Sequence, residues 1–161
     1  MDVLSLNHIY LYTDGGCRGN QSDNNIGAYA YVLLFNEHMA EGAVSTHNTT
    51  NNRMEIKAVI AGLEQLVQYD LPVIVRSDSA YVVNCMQQKW YNGWINRGWK
   101  TANKKPVGNK ELWLELLKLV NKFENITFEK VEGHSDNKYN NRCDELVNLA
   151  MDKLEREQGE Q

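Results

Sequence analysis

An α/β fold is predicted, with a five-stranded mixed sheet of three antiparallel strands then two parallel ones, flanked by helices, and three observations predict it. The N-terminal third alternates apolar and polar residues between turn signals, the pattern of half-buried strands. From Asn51 onward, apolar residues recur at three- and four-residue spacing in four separate segments, the pattern of amphipathic helices. Two short apolar runs, Val73 to Arg76 and Ile126 to Val131, lie among those helices, and strands joined through helices pair in parallel.

His8 to Thr13 alternates and ends at Asp14-Gly15-Gly16, which reads as a glycine turn that stops the first strand. Ile26 to Phe35 and Met39 to Thr46 form a hairpin about Asn36-Glu37-His38. Asn51 and Asn52 can cap a helix running to about Tyr69, since Ile56, Val59, Ile60, Leu63, Leu66 and Val67 share one face, and Pro72 closes it. The strand Val73 to Arg76 ends at Ser77-Asp78-Ser79, and Tyr81 to Gln88 is helical. Leu112, Leu116, Leu119, Val120 and Phe123 mark a helix from about Asn109, and Ile126 to Val131 is the final strand. A polar loop, Glu132 to Asn140, contains Gly133. The last helix begins near Asn141 with Leu146, Leu149, Ala150, Met151 and Leu154 inward. The whole, 1–161, reads as one domain with its core at about 8–155 and a frayed tail at 156–161.

The composition suits this reading. A chain of 161 residues with 42% hydrophobic and 24% charged residues builds one core and leaves no room for a second domain. No run approaches the roughly 18 apolar residues of a membrane span, and the start MDVLSLNHIY lacks the basic head and apolar core of a signal peptide. A cytoplasmic chain without membrane association is therefore expected. Cys17, Cys85 and Cys143 are odd in number and far apart, so they are expected to be reduced thiols. No unexplained apolar stripe calls for a second copy, and a monomer with no obligate protein partner is expected.

The net charge of −4 conceals a pattern. Between Ser79 and Lys110 there is no Asp or Glu, while Lys89, Arg97, Lys100, Lys104, Lys105 and Lys110 give the stretch +6 and leave −10 for the rest. Trp90, Trp94 and Trp99 are interleaved with these cations, a combination that holds a nucleic-acid backbone and its sugars. A solvated charged loop with core tryptophans is the ordinary alternative. Three tryptophans spaced as in WYNGWINRGW are, however, hard to bury all at once.

Four acids stand at element ends. Asp14 follows the first strand and Asp78 the fourth, and the carboxyl ends of such strands are where sites usually lie. Glu55 and Asp144 fall in what read as the first turns of the long and the last helix. Singly, each has an ordinary explanation in turn chemistry or the helix dipole. Gathered on one rim they would repel unless a cation neutralised them. Oxygen ligands without His or Cys at metal spacing point to Mg²⁺ or Mn²⁺. Two such ions about 3.5–4 Å apart activate water on one side of a phosphodiester and stabilise the leaving oxygen on the other.

The motifs YTDGGCRGN around Asp14, TTNNRMEIKAVIAGL around Glu55, VIVRSDSAYV around Asp78 and VEGHSDNKYNNRCDELV with His134 and Asp144 resemble, in order, the signatures of type 1 ribonucleases H. WINRGWKTANKKPVGNKELW resembles the basic protrusion of the bacterial branch, and the likeness spans about residues 8 to 155. The resemblance implies a ribonuclease H-like fold and endonucleolytic cleavage of the RNA strand of RNA·DNA hybrids, with 5′-phosphate and 3′-hydroxyl products. It implies that Asp14, Glu55, Asp78 and Asp144 ligate two Mg²⁺ ions, with Mn²⁺ as a substitute, that Asp14 bridges them, and that His134 assists by proton handling or product departure. Backbone groups at Gly15 and Cys17 and the amides of Asn20, Asn51 and Asn52 match positions that read the hybrid's minor groove, where the 2′-hydroxyl distinguishes RNA. Thr50 matches a contact to a DNA-strand phosphate and Trp90 one that packs on DNA sugar. Trp94, Arg97, Trp99, Lys100, Lys104 and Lys105 complete the expected binding surface, whose phosphate contacts give affinity without sequence choice.

The chain departs from the common pattern in three places. Gln21 to Asn25 stands where Pro and further glycines are frequent, Ala80 where Gln is common, and Asn141 where Glu is frequent. None touches the four acids. Two other classes share parts of this pattern: a silent hybrid-binding module, which would lack an acid, and a DNA nuclease or integrase of the same fold, which would lack TTNNRME and the basic protrusion.

Overall fold

Ile9, Leu11, Thr13 and Gly15 turn to one face of the first strand and Tyr10, Tyr12, Asp14 and Gly16 to the other, because side chains alternate across a sheet. Apolar residues of both sets are buried, which makes this strand, β1 (Ile9–Arg18), the centre of the fold. The structure is a computed structural model and describes residues 7–19, 25–132 and 137–159. β1 pairs antiparallel with β2 (Ile26–Phe35), and β2 antiparallel with β3 (His38–His47). On its other side β1 pairs parallel with β4 (Val73–Ser77), and β4 parallel with β5 (Ile126–Lys130). The order β3-β2-β1-β4-β5 is the expected mixed sheet.

Five helices accompany it among the described residues: α1 (Asn51–Glu64), α2 (Ala80–Gln88), α3 (Trp90–Asn96), α4 (Lys110–Val120) and α5 (Lys138–Gly159). Ile56, Val59, Ile60 and Leu63 of α1 cover Ile9, Leu11, Val73 and Val75 together with Val82 and Val83 of α2 and Trp113 and Leu116 of α4. Across the sheet, Cys143, Val147 and Met151 of α5 cover Tyr10, Tyr12, Val32, Leu34, Ala28 and Ala30. Each fully buried large aliphatic side chain contributes about 1.5–3 kcal/mol, so the helices are fixed to the sheet chiefly by these stripes. The three cysteines remain free thiols.

Several local expectations are corrected. Asp14-Gly15-Gly16 does not turn: all three stay in β1, opposite Ala30, Tyr29 and Ala28, because β2 continues to supply ladder partners after β4 has ended. The cap of α1 is Thr50, whose hydroxyl accepts from the Arg53 N–H at 3.2 Å, and Asn51 and Asn52 are its first helical residues. α1 ends at Glu64 rather than Tyr69, where the amides of Gln65 and Leu66 close onto the Gly62 and Leu63 carbonyls, and Val67 is left exposed. α5 begins earlier than Asn141 because Asn137 caps it, accepting from the Tyr139 and Asn140 amides at 3.0 and 3.1 Å. Glu55 and Asp144 consequently lie beyond the first turns of their helices. Leu149, expected inward, is exposed. The helix α3 was hidden by its weak apolar periodicity, and α5 runs on to Gly159, into the segment read as tail.

Candidate metal centre and nucleic-acid interface

The parallel register ends at Thr13 opposite Ser77, so the next residues, Asp14 and Asp78, stand side by side where β1 and β4 part. Neighbouring strands lie about 4.8 Å apart. Glu55 reaches the same place from α1, and Gly15 is what lets it. A Cβ on Gly15 would lie 2.5 Å from the Met54 carbonyl carbon, 2.6 Å from the Glu55 nitrogen and 2.7 Å from the Met54 oxygen, all backbone atoms of α1. Only a residue without a side chain admits the helix so close. The Gly15 N–H then donates to Asp14 Oδ1 at 2.9 Å and to Glu55 Oε1. Carboxylate oxygens of Asp14, Glu55 and Asp78 all lie within 4.8 Å of one another.

Three acids so close are held against their ordinary chemistry. Burial first, and then the charge of Asp78, raises Asp14 from its ordinary 3.8 to about 7. Burial first, and then Asp14 and Asp78, raises Glu55 well above the usual carboxylate range. Asp144, half-buried on α5, stands outside this trio, yet its charge also raises Asp14. The arrangement lacks His and Cys and offers oxygens only, which fits a hard divalent cation and its retained waters. Such an ion would relieve the repulsion that burial has concentrated here.

Beside the trio, Thr49, Thr50, Asn51 and Asn52 line an open hollow of about 330 Å³. Asn25 holds this segment: its Nδ2 donates to the Thr49 carbonyl at 2.7 Å, and its Oδ1 accepts from the Thr49 N–H at 3.0 Å. Asn25 thus serves as a buried buttress at the start of β2, although it reads in the sequence as the end of an aberrant loop. Gly15 and Cys17 are half-buried along the same stretch of β1. His134 and Asn20 lie outside the described residues, as does the loop segment 21–24.

The basic segment is an arm with an aromatic root. Trp94 packs on Trp99 and on Trp113, ring centroids 5.9 and 5.7 Å apart, and Trp113, fully buried, meets Tyr81 at 5.3 Å. Trp94 and Trp99 are therefore half-buried together and Trp90 remains 36% exposed, so the three tryptophans are not all buried at once. Beyond them the chain doubles back through a Lys100 to Pro106 bridge, and Arg97, Lys100, Lys104 and Lys105 are exposed. Where the arm returns, the start of α4 is tied to α1 by Arg53, which bonds to Asn109 Oδ1 at 3.2 Å and Glu111 at 2.5 Å. Asn109 and Trp113 both donate to the Tyr81 hydroxyl. Sequence reasoning missed Trp113 and Arg53, although Arg53 stands between two residues it did select.

The family model described as RNase H matches residues 7–152. A protein of Clostridium botulinum (strain Hall) named Ribonuclease H is 50% identical over 146 residues, which is 91% of this chain and 97% of that one. Among solved structures, LC9-RNase H1, described as a type 1 RNase H with the type 2 active-site motif, is similar with a TM-score of 0.78 at 26% identity, over 92% of this chain and 74% of that one. LC11-RNase H1, solved in complex with RNA/DNA hybrid, is similar with a TM-score of 0.68 at 28% identity, over 91% and 98% of the respective chains.

Proposed function

Because the chain belongs to the ribonuclease H family, we propose that it cuts the RNA strand of RNA·DNA hybrids endonucleolytically, with Mg²⁺, leaving 5′-phosphate and 3′-hydroxyl ends. The observation that carries this reading is the convergence of Asp14, Glu55 and Asp78 on the open rim of the sheet. Asp14, Glu55, Asp78 and Asp144 would hold the divalent ions. The ions supply charge neutralisation at the scissile phosphate and a more acidic water. The carboxylates must give up their protons to bind, so the raised pKa of Asp14 makes ion uptake release protons near neutrality. His134 takes part in proton handling or product departure, work to which an imidazole is suited near neutral pH.

The 2′-hydroxyl is read by the backbone at Gly15 and Cys17 and by the amides of Asn20, Asn51 and Asn52, which offer donor and acceptor together. The Thr50 oxygen accepts from Arg53, so its own O–H proton is left to donate to a DNA-strand phosphate. Trp90 supplies the exposed ring for a sugar, and Arg97, Lys100, Lys104 and Lys105 supply phosphate contacts. Trp94 and Trp99 contribute by holding the arm on its aromatic root. No described helix is long and apolar enough to cross a membrane, and we take the protein to act in the cytoplasm as a monomer.

Matched RNA·DNA, RNA·RNA and DNA·DNA duplexes incubated with the protein in Mg²⁺ are expected to yield cleavage of the RNA in the hybrid alone. Equal cutting of DNA·DNA would make it a DNA nuclease of the same fold. Hybrid binding without any cutting would make it a silent binding module. Replacing Lys100, Lys104 and Lys105 together by Ala is expected to weaken hybrid binding and to make the slope of log affinity against log salt shallower by about two to three. An unchanged slope, measured by fluorescence anisotropy, would remove the arm from the binding surface.

A further inference from the structure

Tyr12 stands two residues before Asp14 on β1, Arg76 two residues before Asp78 on β4, and the parallel register pairs the two. Residues two apart share a face of a sheet, so this pair lies directly behind the two carboxylates, on the side covered by α5. Tyr12 is 1% exposed. Its hydroxyl oxygen accepts from Arg76 Nη1 at 2.7 Å and from Asn137 Nδ2 at 3.4 Å. Arg76 bonds through Nε to Glu129 of β5 at 3.0 Å, and its guanidinium lies 4.9 Å from the centre of the Tyr10 ring. Asn137 uses its remaining side-chain atom to cap α5. Two more contacts run from Tyr12 to the same helix. Its ring meets that of Tyr139, centroids 5.4 Å apart, and its carbonyl accepts from Cys143 Sγ at 3.3 Å. Cys143 immediately precedes Asp144.

One side chain on the central strand thus grips α5 at its cap and first turn, and its carbonyl holds the residue beside Asp144. α5 makes no ladder with the sheet, so side-chain contacts alone decide where along β1 the helix stands. We infer that Tyr12 is a positioning residue for the metal centre: through Asn137 and Tyr139 it fixes α5 along β1 and thereby sets where Asp144 stands relative to Asp14, Glu55 and Asp78. The inference rests on the proposed role of the four acids as ion ligands. Ligands brought from separate elements require placement to within about 0.5 Å, and removing the groups that orient ligands lowers metal affinity by about 10- to 100-fold.

The test is a double-mutant cycle read by calorimetric titration of Mn²⁺ into the hybrid-free protein. Tyr12→Phe is expected to weaken Mn²⁺ binding about tenfold in the wild-type background and less than about twofold when Asp144→Asn is already present. A side chain that only stabilises the fold lowers the melting temperature and weakens binding equally in both backgrounds, or not at all, and either result overturns the inference. Asn137→Ser keeps a capping oxygen while losing the donor to Tyr12, and it is expected to reproduce the background-dependent loss. Undiminished binding in Asn137→Ser would overturn the inference even if Tyr12→Phe failed to fold. A wild-type protein that takes up no Mn²⁺ would overturn the metal-centre reading and this inference with it, whereas wild-type uptake matched by Tyr12→Phe overturns the inference alone.

Discussion

Asp14→Asn is expected to lower hybrid cleavage at least about a thousandfold, which is about 4 kcal/mol of transition-state stabilisation, while leaving hybrid binding measurable. The asymmetry follows from where the charges sit. Asp14 is buried at the meeting point of β1, β4 and α1, and its oxygens lie within reach of both Glu55 and Asp78. Replacing one of them by an amide nitrogen removes a ligand and the negative charge that draws cations in. The exposed cations of the arm and the Thr49 to Asn52 hollow are untouched, and phosphate contacts supply most of the affinity. Gel-based cleavage and anisotropy binding on the same labelled hybrid decide the matter, and turnover retained in the variant would show that Asp14 is no ligand.

The same substitution has an opposite effect on the ion-free fold, and its sign can be worked out. Burial and then the Asp78 charge raise Asp14 to about 7 in the folded chain, against about 3.9 when unfolded. Between those values the folded state binds the extra proton, so Asp14's contribution to ion-free stability falls as pH rises from about 4 to about 7 and is level above that. Each decade of proton affinity is about 1.4 kcal/mol, which bounds the penalty at about 4 kcal/mol. Asp14→Asn removes it. Thermal melts in EDTA are expected to show the variant more stable than wild type at pH 8 and equal to it at pH 4. Added Mg²⁺ is expected to raise the wild-type melting temperature more at pH 8 than at pH 5, since protons no longer compete for the carboxylates.

The mixed pairing of the sheet was legible because its two kinds of connection differ in the sequence. A three-residue polar break between Phe35 and Met39 permits only antiparallel pairing, whereas the helix between Thr46 and Val73 permits a crossover. The four acids were legible as strand-end and helix-borne carboxylates, and three of them do meet. What stayed hidden was whatever depends on packing between distant elements. Asp-Gly-Gly has the composition of a turn, and nothing local reveals that Gly15 is small because α1 passes over it. The tryptophans read as hard to bury all at once because their spacing matches no single helical face. Trp94 is half-buried against Trp113, which follows it in the sequence but lies in another element, and Trp99 packs on Trp94. Asn137 was lost in a polar loop, although Asn is among the best residues for starting a helix. Tyr12 and Arg76 did carry a signal: each precedes a candidate ligand by two, the offset that keeps side chains on one face of a strand.

Gly15→Ala is the second substitution from which a large effect is expected, because it tests whether the position of α1 or only the identity of its residues makes the centre. The added methyl would stand 2.5 to 2.7 Å from three backbone atoms of Met54 and Glu55, where ordinary contact begins at 3.4 Å. Backbone cannot rotate away as a side chain can, so α1 must retreat from β1 by about 1 Å to restore van der Waals distance. A retreat of that size withdraws Glu55 from Asp14 and Asp78, and a 1 Å misplacement lowers rates about a hundredfold. Overpacking is expected to lower stability by about 1–3 kcal/mol in addition. Gly16→Ala is the matched control, since among the described residues its methyl would meet only Val147 Cγ1 at 3.7 Å on the α5 side. The pair differ by one position in the same strand and by the face on which the methyl lands. Full activity in Gly15→Ala, measured as kcat on hybrid with saturating Mg²⁺, would mean that Glu55 tolerates displacement and that close approach of helix to strand is incidental to the chemistry.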